Sequence, residues 1–181
     1  GWSIDFWIVD AQGRRFTPSR SDHADQQMLM GDEHAITTAV TEDRMTLHSR
    51  VEMQWHDQSP QLKIHLQGTS EIGGRLIVAL RPYNPEGIQF IDNIESFEQG
   101  KQIQINQRTR MNFDQTPQRV VMSNYDHNDV YNELDAEPRE KIQCRVGMAT
   151  AAMQFPLDPG QQQSVNITLP LDHELDRADR K

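Results

Sequence analysis

The stretch MTLHSRVEMQW, Met45 to Trp55, decides the fold class. Met45, Leu47, Val51, Met53 and Trp55 share one parity, and Thr46, His48, Arg50, Glu52 and Gln54 share the other. Ser49 is the one small polar residue among the apolar set. Successive side chains of a strand point to opposite faces, so this segment is a long antiparallel strand with one wet face and Trp55 on its core face. Leu62, Ile64 and Leu66 repeat the alternation, and His56 to Pro60 supplies a turn between the two runs, giving a hairpin.

Working outward, strands are expected at Trp2–Val9, Ala35–Val40, Arg75–Leu80, Gln102–Asn106, Arg119–Met122, Ile142–Met148 and Ser164–Leu169. In the first, Trp2, Ile4, Phe6 and Ile8 set the apolar face and Trp7 lies opposite. Leu76 to Leu80 run without a polar residue, which fits a strand buried on both faces and therefore central. Many short strands joined by turn-rich loops indicate an all-β chain, an antiparallel β-sandwich with long polar loops. Residues 1–171 read as that sandwich domain and residues 172–181, almost wholly charged, as a tail or linker. Thr17–Glu33 and Ser123–Lys141 lack a core pattern and read as loops.

The chain has 181 residues and a net charge of −9. That excess of acid argues against nucleic acid as a partner, because phosphate backbones are bound through Lys and Arg. No apolar run reaches the roughly 18 residues of a membrane span, and no signal peptide is visible, so no membrane partner is expected. The opening Gly1-Trp2, without an initiator Met, reads as a chain processed, tagged or cut from something longer. Compartment is left open, with the cytoplasm favoured. Cys144 is the only cysteine, which excludes an internal disulfide and a thiolate metal cluster and makes it a small buried residue.

No catalytic constellation is legible, and neither a cofactor nor a metal site is expected. The seven His residues lack the spacing of helical metal motifs; His48 and His65 read as a surface pair facing each other across the hairpin. The acidic segment Tyr125–Glu140 offers oxygens for a hard cation but not an EF-hand spacing, so a solvated loop is the simpler reading. The strongest local feature is Leu80-Arg81-Pro82-Tyr83-Asn84-Pro85-Glu86-Gly87-Ile88, directly after the buried strand. Its prolines and glycine fix an irregular turn. Arg81 can donate up to five hydrogen bonds, to loop carbonyls or to a carboxylate, and Tyr83 offers a ring and a hydroxyl. A corner between two sheets and a ligand contact are both compatible with it.

The passage RLIVALRPYNPEGIQFIDNI, Arg75 to Ile94, resembles the N-terminal β-sandwich, or super-sandwich, of bacterial glycogen-debranching-like and related six-hairpin (α/α)6-barrel glycosidases. A Trp-containing first strand with a turn at Asp10–Gly13 is compatible with that pattern. The resemblance implies a non-catalytic domain of a larger glycoside hydrolase of the α-glucan type, whose partner is the catalytic (α/α)6 barrel of the same protein. It also implies that a loop helps wall the sugar pocket, with Arg81, Tyr83 and Asn84 as the substrate-binding candidates. No catalytic residue is carried over, because no segment here could be the barrel. Two other readings stay open: a free-standing carbohydrate-binding module stacking sugar on Trp7, and a structural β-domain pairing with another subunit.

Overall fold

The computed structural model describes residues 2–21, 23–30, 34–56, 59–84, 87–88 and 90–171. The expected tail at 172–181 lies outside them, as do residues 57–58 of the expected turn and 85–86 of the RPYNPEG segment. Sixteen strands form among the described residues: β1 (Ser3–Asp10), β2 (Arg15–Phe16), β3 (Ala24–Leu29), β4 (Ala35–Glu42), β5 (Met45–His56), β6 (Ser59–Ser70), β7 (Gly74–Arg81), β8 (Tyr83–Asn84), β9 (Gly87–Ile88), β10 (Asn93–Phe97), β11 (Gln102–Ile105), β12 (Thr109–Phe113), β13 (Arg119–Ser123), β14 (Lys141–Gln143), β15 (Thr150–Leu157) and β16 (Gln162–Pro170). They pair antiparallel into a nine-stranded sheet, β14-β10-β11-β12-β16-β6-β5-β4-β3, and a five-stranded sheet, β13-β15-β7-β1-β2, with β8 and β9 as a small ribbon. This is the all-β sandwich expected from the alternation. No helix among the described residues is long and apolar enough to cross a membrane.

The main core lies between the sheets, where Ile8, Leu76, Val78, Leu80, Met153 and Phe155 of the smaller sheet join Leu47, Leu66, Ile103, Met111, Phe113, Val165 and Ile167 of the larger. The run Leu76 to Leu80 is buried on both faces, as expected. Its second face is covered by the segment expected to be a solvated acidic loop. Val130 and Leu134 of that loop are fully buried against Trp7, Val9, Ile77, Ala79, Val121 and Ala152. The loop is held by side chains of the sheet: Gln154 Nε2 donates to the Leu134 carbonyl at 2.6 Å, Ser123 Oγ to that of Asn128 at 2.7 Å and Arg119 Nη2 to that of Asp135 at 3.0 Å. Irregular backbone lying on an apolar face needs such partners for its polar groups.

Several strand expectations need correction. Ala24–Leu29, expected within a loop, is an edge strand, exposed along most of its length and held through its backbone to β4. β10, β12 and β15 are strands where none was expected. Ile142–Met148 is a strand only to Gln143; the chain then turns, Gly147 N–H donating to the Cys144 carbonyl at 3.1 Å with Gly147 at φ 70°. Along the core face of β5 burial fades from Met45 and Leu47 to Met53 and Trp55, which is 72% exposed. The parity of β5 is the expected one, but nothing among the described residues covers that end of the strand. Cys144 is buried, and its Sγ accepts from the Met148 N–H at 3.3 Å.

Candidate functional site

Alternation puts Asp5 and Trp7 of β1 on the same outer face of the smaller sheet as Ala79 and Arg81 of β7. Asp5 pairs with Ala79 and Ser3 with Arg81, so the Asp5 carboxylate sits diagonal to the guanidinium. Arg81 Nη1 donates to Asp5 Oδ2 at 2.9 Å and Nε to Asp129 Oδ2 at 3.1 Å, while Nη2 donates to the Tyr83 hydroxyl. That hydroxyl donates in turn to Asp129. Asp129 Oδ1 also accepts from the Tyr131 N–H at 2.8 Å, which turns the covering loop into the cluster. The guanidinium carbon lies 4.3 Å from the Tyr83 ring centroid and 5.5 Å from that of Trp7. Trp7 meets Tyr131 edge-on at 5.1 Å, and Arg15 closes the stack 4.5 Å over Tyr131.

Burial works against the charge on Arg81, but the Asp5 hydrogen bond and the nearby Asp129, Tyr83 and Asp5 outweigh it and raise its pKa above the ordinary value. Tyr83 is pushed up to about 12, first by burial and then by its bond to Asp129 and that residue's charge, with Arg81 pulling the other way. A phenol held that high is no general acid or base near neutral pH. The cluster is therefore a charge-paired staple joining β1, β7 and the loop.

Three of the four residues expected to bind substrate, Arg81, Tyr83 and Trp7, are thus brought together, with the Arg81 nitrogens and the Tyr83 hydroxyl engaged by protein groups. Trp7 corrects the expectation of an exposed stacking ring: it is 2% exposed, because the loop that was expected to be solvated covers it. Asn84 pairs through its backbone with Gly87 across the β8–β9 ribbon. Asp5, Asp129 and Tyr131 carry no sequence signal that would have joined them to Arg81.

A second concave region lies on the wet face of the larger sheet. His48 and His65 are not directly opposed, contrary to expectation: His48 faces Gln67, and Arg50 faces His65. Adding β3 and β4 gives two cross-strand rows, Asp25–Ala39–His48–Gln67 and Gln27–Thr37–Arg50–His65, around a hollow of about 350 Å3. Arg50 Nε donates to Glu52 at 3.0 Å, and His65 Nδ1 donates to Asn166 Oδ1 at 2.7 Å. Asp25 and Gln27 carry no signal in the sequence, because β3 does not read as a strand.

No protein-family profile matches the chain, and no curated protein matches it in sequence. Among solved structures it is similar to a bacterial glucoamylase complexed with acarbose, with a TM-score of 0.62 at 12% identity. That match covers 92% of this chain and 26% of the glucoamylase, so the chain spans about a quarter of that protein's length. A human-microbiome protein assigned as a kojibiose phosphorylase matches at a TM-score of 0.49 and 7% identity, over 91% of this chain and 21% of its own. At these identities the likeness shows the fold.

Proposed function

We propose that the chain is a non-catalytic β-sandwich domain of an α-glucan-acting glycoside hydrolase, scaffolding a catalytic (α/α)6 barrel of the same protein and walling its sugar pocket with the Arg81–Asn84 corner. The observation that carries this reading is the likeness to the glucoamylase, which takes in 92% of this chain but only 26% of that one. The Arg81 cluster is consistent with it, because two of the chain's acids are engaged in holding a loop. The encoding gene, read past Lys181, tests the proposal. A region of helical-barrel periodicity is the expected result, and a stop codon directly after Lys181 overturns it. The 181-residue chain alone is expected to release no glucose from maltooligosaccharides; measurable turnover overturns its non-catalytic status.

The free-standing binding module loses its stacking residue with the burial of Trp7. The structural β-domain is favoured by one observation, the exposed apolar side chains of Met28, Ile36, Met53 and Trp55. Paired with a second copy through those residues, the chain would show twice its 20.9 kDa mass in light scattering.

A further inference from the structure

On the wet face of the nine-stranded sheet, β4 contributes only Thr37 and Ala39 between longer neighbours: Asp25 and Gln27 on β3, and His48 and Arg50 on β5. The small pair forms the floor of a trough and the longer side chains form its walls, with His65 and Gln67 of β6 extending one side. With strands about 4.8 Å apart, the four strands span about 14 Å. The hollow of about 350 Å3 falls within the size range of small-ligand sites.

Elsewhere on this face several polar side chains bind one another: Gln102 bonds Asn112 at 2.9 Å, and Asn166 bonds Asp114 at 2.6 Å. In the trough, the side chains of Asp25, Gln27, His48 and Gln67 have no hydrogen-bond partner among the described residues. They are planar groups that together offer both donors and acceptors. The lining is not an anion site: it contains the Asp25 carboxylate, its one guanidinium is tied to Glu52 at 3.0 Å, and the whole chain carries −9. A ligand that matches it is neutral and carries several adjacent groups that each donate and accept.

We infer that this trough over β4 binds a saccharide, with Asp25, Gln27, His48 and Gln67 taking ring hydroxyls. It is a site on the sandwich itself, apart from the Arg81 corner, and it is complete without any neighbouring domain. No Phe, Tyr or Trp ring lines it, so the affinity is weak, with a Kd on the order of 1 mM.

The test is a nuclear magnetic resonance titration of the 181-residue chain with maltotriose and, separately, cellotriose, following backbone amides and the His48 and His65 ring protons. Saturable shifts confined to the rows from β3 to β6, for either sugar, are expected. The variant His48→Ala/Gln67→Ala alters only wet-face side chains, and it should weaken that binding at least tenfold. The inference is overturned if neither sugar gives saturable shifts well above the millimolar range, if shifts map only outside the trough, or if inorganic phosphate titrates these residues and the sugars do not. Because the titration uses this chain alone, its failure is distinct from a failure of the scaffold reading, which the gene sequence decides.

Discussion

Arg81 joins residues that lie far apart in the chain. Asp5 is 76 positions before it and Asp129 is 48 after it, and the guanidinium holds both. Arg81→Met would leave two half-covered carboxylates without their counter-charge, and a loss of about 2 kcal/mol in urea unfolding is expected. Arg81→Lys should recover less than half of that, since a single ammonium cannot reproduce the planar fork. Tyr83 makes the pH dependence specific. Its folded-state pKa lies above the ordinary 10, at about 12, so folding favours the neutral phenol. That contribution is fully present below about pH 10 and is lost as pH rises towards 12. Melting temperatures should therefore fall more steeply over this interval in the wild type than in Tyr83→Phe. The sequence showed that Arg81, at the end of a buried strand, had donors to place. It could not show Asp5 or Asp129 as acceptors, because contact across such separations leaves no local pattern. Trp7 failed for a related reason: its parity was right, but the face assigned to solvent has a cover.

The covering loop, Asn124 to Glu140, behaves as a third layer built without regular strands. Leu134→Ala should cost about 3 kcal/mol, the range for deleting a buried leucine side chain, whereas Tyr125→Ala, at an exposed ring of the same loop, should stay within about 0.5 kcal/mol. Urea denaturation of the two variants checks the contrast. Two apolar residues among many acids do not form a periodic pattern, and the sheet supplies the order that the loop sequence lacks, through Gln154, Ser123 and Arg119. Strands were legible where several apolar residues alternated, as in β5, β6 and β16, or ran on unbroken, as in β7. β10 buries only Ile94, and β3 places one half-buried leucine among exposed residues, so backbone pairing holds them with little help from pattern. β15 reads Thr-Ala-Ala-Met-Gln, and its small residues hide a strand as buried as β7.

At the scale of the molecule, the two sheets differ in breadth, nine strands against five. The apolar face of the larger therefore extends past its cover at Met53 and Trp55. Both sheets also depend on strands from opposite ends of the chain. β1 lies between β7 and β2 in the smaller sheet, with β15 on the far side of β7. In the larger, β16 pairs with β12 on one side and β6 on the other, so it is the seam between two groups of four strands. A chain truncated at Gly160 keeps every other strand but lacks the seam, and hydrogen exchange should find no slowly exchanging core in it; persistent protection of β6 and β12 would contradict this. The same position of β16 sets a timetable for synthesis. At ribosomal rates about 10 to 30 s pass between the emergence of the first strand and the last, and through that interval the two halves of the larger sheet wait with open edges. A newly made sandwich is thus most exposed to mispairing just before β16 emerges, when nearly all of its apolar surface has been made and the strand that joins it has not.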